Sequence, residues 1–140
     1  MSKFSMKELL AQTEQSYGDF EFAIPVRDKD GNEVLDSDGE VVTKDAVFRY
    51  YLRVDLPQRQ KLAQAYKYIT GEEDIAKDLP EDADGISGLV KFLSETLEGL
   101  AVGKEDAELV RKELGEDLIL WTFFYNAYEQ AFDMQDASGE

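Results

Sequence analysis

Two residue types that carry much of biological chemistry are missing from this chain: it has no cysteine and no histidine. Without cysteine there is no thiol nucleophile, no disulfide, no zinc–thiolate site and no iron–sulfur cluster. Without histidine there is no Ser-His-Asp triad, no imidazole-ligated metal and no ordinary general base near neutral pH. Long apolar runs are lacking too. No stretch approaches the roughly 18 uninterrupted apolar residues that read as a bilayer span. The start, Met1-Ser2-Lys3-Phe4-Ser5-Met6-Lys7-Glu8, has neither the apolar core nor the small-residue cleavage site of a signal peptide. The expected location is therefore the cytoplasm, with no membrane partner.

Positive charge is scarce. Lys and Arg number 15 against 31 Asp and Glu, a net charge of −16. Such a field repels nucleic acid and anionic membrane surfaces, so no nucleic-acid partner is expected. Carboxylates are the one catalytic raw material present in quantity. In so acidic a chain, clusters such as Glu72-Glu73-Asp74 arise from composition alone and carry little information. No phosphate-binding glycine loop, nucleophile elbow or metal-ligand spacing appears. The expectation is a protein that is not an enzyme, with no catalytic residue, no metal and no cofactor.

What is present suits a folded domain. The 140 residues are 43% hydrophobic and 11% aromatic, enough for one core without a metal or disulfide. The charge is divided unevenly. Residues 1–70 hold 12 acids and 10 bases, whereas residues 71–140 hold 19 acids and 5 bases. A charged partner would meet the acidity in the second half.

Along the chain, Ser5 and Glu8 have capping-box spacing and open a short helix. Leu9, Leu10 and Thr13 are its candidate packed face, and Gly18 its stop. Phe20, Phe22 and Ile24 then alternate with Glu21 and Ala23, as in a half-buried strand ending at Pro25 or Val26. Asp28-Lys29-Asp30-Gly31-Asn32 and Asp36-Ser37-Asp38-Gly39-Glu40 form a miniature repeat. It tempts a calcium reading, but an EF-hand loop needs its glycine at the sixth position, and here it comes fourth. Hairpin turns are the expectation. Residues 46–54 read as a strong strand with Phe48, Tyr50, Leu52 and Val54 on one face. Together, strands near 19–26, 33–35, 40–43 and 46–54 predict a small antiparallel sheet.

Helical spacing begins after Asp55 and Pro57, with Leu62, Ala65, Tyr66 and Ile69 ahead of Gly71. Arg49, Arg53, Arg59, Lys61 and Lys67 make the only basic island, expected to serve as an internal partner for the acidic half. Residues 71–85 hold seven acids and Pro80, the composition of an exposed linker or lid. Ile86, Leu89, Val90, Leu93, Leu97 and Leu100 repeat at helical spacing, and Ala107, Val110 and Leu114 mark a short polar helix over 104–114. The last helix, from about Glu116 to Phe132, is apolar around most of its circumference through residues 118–128. A surface helix needs one apolar stripe, so this one is either central to the fold or partly an interface.

The reading as a whole is one α+β domain over 1–140, predominantly helical. A short helix and strands over 1–54 supply a small N-terminal antiparallel sheet, a helical bundle follows over 55–132, and 133–140 form a flexible tail. The candidate protein-binding residues are Leu120, Trp121, Phe123, Phe124 and Tyr128, joined by Leu93 and Leu97 of the preceding long helix. Leu120, Phe123 and Tyr128 are expected off the Trp121–Phe124 stripe and so left over for a partner.

The order of these elements, closing on Leu120-Trp121, Phe124 and Asn126-Ala127-Tyr128, resembles the tail assembly chaperones of long-tailed phages, especially those of actinobacteria. The resemblance covers most of the chain and rests on layout and composition. It implies an acidic, mostly helical protein of the host cytoplasm that coats the tape measure protein before the tail tube polymerises. The implied partners are that helical client and further copies of the chaperone, with no catalytic residues. Two other functions stay open: an acidic DNA-mimic inhibitor of a nucleic-acid-binding enzyme, which the acidity allows, and, within what the resemblance implies, another phage structural or head–tail joining protein.

Overall fold

A computed structural model describes residues 5–81 and 83–138. Its elements in chain order are helix α1 (Met6–Tyr17), strands β1 (Phe20–Pro25) and β2 (Thr43–Phe48), and helix α2 (Leu56–Thr70). Helices α3 (Gly85–Leu100), α4 (Lys104–Leu114) and α5 (Leu118–Ser138) follow. Single 3-10 turns lie at Tyr51–Arg53 and Ile75–Asp78. The fold is α+β and 58% helical, with a small two-stranded antiparallel sheet near the N-terminus.

Local chemistry sets the helix ends. The Ser5 hydroxyl accepts from the Glu8 amide at 3.3 Å, which is the N-cap half of the expected capping box. Asp55 Oδ1 accepts from the Gln58 amide at 3.1 Å, and Gly71 ends α2 at φ +82°, a left-handed turn that a Cβ disfavours. Asp84 caps α3 through the Ile86 amide, and Asp106 reaches back to the Gly103 amide at 2.8 Å to start α4. The α1 face departs from expectation. Leu9 and Leu10 are each 53% exposed rather than packed, while the Thr13 hydroxyl bonds back to the Leu9 carbonyl.

The strands pair with Phe20 opposite Phe48, Phe22 opposite Ala46 and Ile24 opposite Lys44. Between them the Asp-Gly repeat folds into twin hairpins. Asp28 Oδ1 accepts from the Asp30 and Asn32 amides, and Asp36 Oδ1 accepts from those of Asp38 and Glu40. Gly31 and Gly39 sit at φ +82° and +81°. The segments expected as strands at 33–35 and 40–43 are reduced to the bridges Arg27–Glu33 and Leu35–Val41. At their base, Val26, Val34 and Val42 close a ring in which each amide donates to the next carbonyl, at 2.8, 2.9 and 2.8 Å. Three antiparallel pairings thus leave one junction, and no backbone group in that ring is orphaned.

The strand expected to continue to Val54 stops at Phe48. Its other edge is taken by residues 100–102: the Arg49 amide donates to the Leu100 carbonyl, and the Val102 amide to that of Val47. Past that clamp the chain turns. Tyr50 and Val54 enter the core, while Leu52 is 55% exposed.

Residues 71–85 are not a free lid. Ile75 is buried, the Tyr68 hydroxyl donates to Asp78 at 2.6 Å, and Leu79 lies close against Gly88 of α3. The last helix also runs further than expected, to Ser138. The tail expected to be loose is therefore helical over its described part, and residues 139–140 lie outside the described residues.

The core joins both halves. Phe20, Phe48 and Tyr50 meet Leu93, Leu97 and Leu100 of α3, Val110 of α4, and Trp121, Tyr125 and Tyr128 of α5. Buried phenols need acceptors, and here backbone carbonyls supply them. Tyr125 donates to the Leu93 carbonyl at 2.5 Å, Tyr66 to that of Tyr125 at 2.6 Å, and Tyr128 to that of Arg49 at 2.7 Å. Burial pushes all three phenols well above their ordinary pKa, so they remain protonated donors.

Candidate functional site

Helix α5 starts where Asp117 Oδ1 accepts from the Ile119 and Leu120 amides, at 3.0 and 3.3 Å. The Trp121 indole donates to the Gly115 carbonyl at 2.9 Å and fixes the helix rotation against the turn before it. Successive residues advance about 100° around a helix, so positions three, four and seven apart share a side. Trp121, Tyr125 and Tyr128 hold that relation, and each is at most 1% exposed. Phe124 lies at the margin, half-buried, with its ring 4.8 Å from Phe22 and 5.6 Å from Phe48.

The opposite side is apolar and bare. Ile119 is 68% exposed, Phe123 66% and Leu120 42%, and Ala127 is exposed beside them. These four positions fall within an arc of about 100° and along about 12 Å of helix. The sequence from Glu116 to Ser138 contains no Lys or Arg. Glu116 and Asp117, both exposed, precede the arc at its N-terminal end, while Glu129 acts on the Tyr66 phenol on the inner flank. Just ahead of α5, Glu116 also lines a depression of about 430 Å³ with Ile86, Val90 and Lys91 of α3.

The seven expected binding residues therefore divide. Leu120 and Phe123 are on the surface. Trp121, Tyr128, Leu93 and Leu97 are core residues and touch no solvent to speak of, and Phe124 closes the sheet against α5. The expectation for Tyr128 failed for a geometric reason: seven residues is two helical turns, so it shares Trp121's bearing. Ile119 was missed, although among the described side chains of α5 it is the most exposed large apolar one.

Of the basic island, Lys67 meets the acidic half and Arg59 turns to nearby backbone. The Arg59 guanidinium donates to the Leu52 and Val54 carbonyls, and Lys67 approaches Glu73 at 3.8 Å. The halves are also tied by Arg27 and Glu113, whose guanidinium and carboxylate meet in a fork at 2.7–3.0 Å. That hydrogen bonding raises the Arg27 pKa and lowers the Glu113 pKa. No local pattern announces this pair, because 86 residues separate its members.

A second depression, of about 640 Å³, is lined by Glu98, Val102, Lys104, Glu108 and Arg111. Its Arg111 is already engaged by Glu98, Glu108 and both the hydroxyl and carbonyl of Ser94. Among the described residues no group of three acidic side chains is placed to hold a metal ion, and no helix is long and apolar enough to cross a membrane. No family model matches the chain, and neither a curated protein nor a solved structure matches it.

Proposed function

We propose that the protein is a phage tail assembly chaperone that binds and shields a long helical client, the tape measure protein, during tail assembly. The observation that carries this reading is the bare Ile119–Leu120–Phe123 face on a helix whose other side, at Trp121, Tyr125 and Tyr128, is built into the core. A client sheath needs apolar surface that remains available after folding, and a high net charge to stay dispersed. This chain has both, on rigid backbone. The DNA-mimic alternative draws less support. It needs a continuous acidic face, whereas Asp74 and Asp84 cap local helices and Asp78 accepts from Tyr68.

The test is co-expression with a tape-measure-type helical client, following client solubility and the melting of the chaperone. Phe123→Ala should reduce the soluble client while leaving the melting curve close to that of the parent. Loss of the fold in Phe123→Ala, or full client solubility in it, would remove the basis for the reading.

A further inference from the structure

We propose that the segment docking on α5 is a cationic amphipathic helix, one whose apolar residues at three- and four-residue spacing are bordered by Lys or Arg. This rests on the reading of α5 as the client-binding face and specifies what that face selects. The bare arc of Ile119, Leu120, Phe123 and Ala127 extends over about two helical turns. That length fits the i, i+3/i+4, i+7 anchors of a helix laid along it. Phe123, at the middle of the arc, is the natural anchor, since a large aromatic contributes most when a partner removes it from water.

The choice of occupant comes from charge. Glu116 and Asp117 stand at the N-terminal end of the apolar arc and no Lys or Arg occurs in residues 116–138, although Lys91 of α3 lines a depression with Glu116. A second copy laid on this face would bring acid against acid, with each chain carrying −16. An anionic lipid surface would be repelled in the same way. A helix with basic borders reverses the sign of every one of these contacts. Electrostatic complementarity of this kind governs encounter rate and partner choice more than it does total affinity. The apolar arc then supplies holding strength and the acids supply selection.

The experiment uses the full chain and three fluorescently labelled helical peptides of about 18 residues. They share one leucine stripe and differ in border residues: Lys/Arg, Gln or Glu. Fluorescence anisotropy is read at about 50 mM and about 500 mM salt, where screening lengths differ severalfold. The Lys/Arg peptide should bind about tenfold more tightly than the Gln peptide at low salt, and that advantage should shrink at high salt. The Glu peptide should not bind. Phe123→Asp should abolish binding of the Lys/Arg peptide without changing the melting curve. Glu116→Gln should weaken the Lys/Arg peptide about twofold and leave the Gln peptide unaffected.

Equal binding of the Lys/Arg and Gln peptides, both lost in Phe123→Asp, would overturn the cationic assignment and leave the docking face standing. Binding of the Lys/Arg peptide that survives Phe123→Asp would overturn both, because it would be diffuse attraction to an acidic protein. Self-association that Phe123→Asp removes, without peptide binding, would make a second copy the occupant and overturn the proposal.

Discussion

The two sides of α5 both carry large hydrophobic side chains and have opposite fates. Trp121, Tyr125 and Tyr128 face inward, each with its polar atom satisfied by a backbone carbonyl. Ile119, Leu120 and Phe123 face outward and touch water. The more apolar set is the one in water. What separates them is the hydrogen-bonding handle: the inner residues are amphipathic aromatics that need a buried acceptor, and the outer ones are purely apolar. Purely apolar side chains need no acceptor, so they remain compatible with a surface that a partner later covers.

A scan around the helix breaks or sharpens this contrast. Trp121→Ala should cost about 3–5 kcal/mol through the cavity it opens, whereas Phe123→Ala should stay within about 0.5 kcal/mol, both by chemical denaturation. Phe124→Ala, on the margin against Phe22 and Phe48, should fall between them at about 2 kcal/mol. If Phe124→Ala cost as little as Phe123→Ala, the inner side would be narrower than described. Tyr125→Phe keeps the ring and removes only the bond to the Leu93 carbonyl. It should cost about 1–2 kcal/mol, while Asn126→Ala on the exposed side should be near neutral.

The smallest effect lies away from α5 and depends on pH. Arg27 holds the Glu113 carboxyl below its ordinary pKa through their hydrogen bonds. A lowered folded-state pKa contributes stability above the unfolded value, about 4.3, and that contribution is lost as pH falls through the folded value. Glu113→Gln should therefore melt slightly below the parent at pH 7, by a margin that narrows as pH falls from about 4.3 towards 3. An equal gap at both pH values would show that the pair contributes through packing rather than charge.

Much of the fold was legible because its determinants are local. Ser5 with Glu8, Asp55 with Pro57, and Gly71 mark helix ends through groups three or four residues apart. The Asp-Gly turns were legible for the same reason. The ring of Val26, Val34 and Val42 lay in the spacing of that repeat, yet only the folded chain shows that the three valines meet. The end of β2 was illegible because residues 100–102 enforce it from a distance. The candidate face was half legible. An excess of large side chains over one stripe pointed to leftovers on α5, but an all-round apolar helix does not reveal its bearing. Gly115, whose carbonyl receives the Trp121 indole, sets that bearing.

The central claim is that the outer side of α5 serves a partner and contributes nothing to the fold. Its most direct measurement is client retention by Phe123→Asp, purified beside the parent and melted in parallel. The account predicts a melting curve matching the parent and a client that is no longer kept soluble. A client still held in solution, or a variant that loses its fold together with its client, would contradict it.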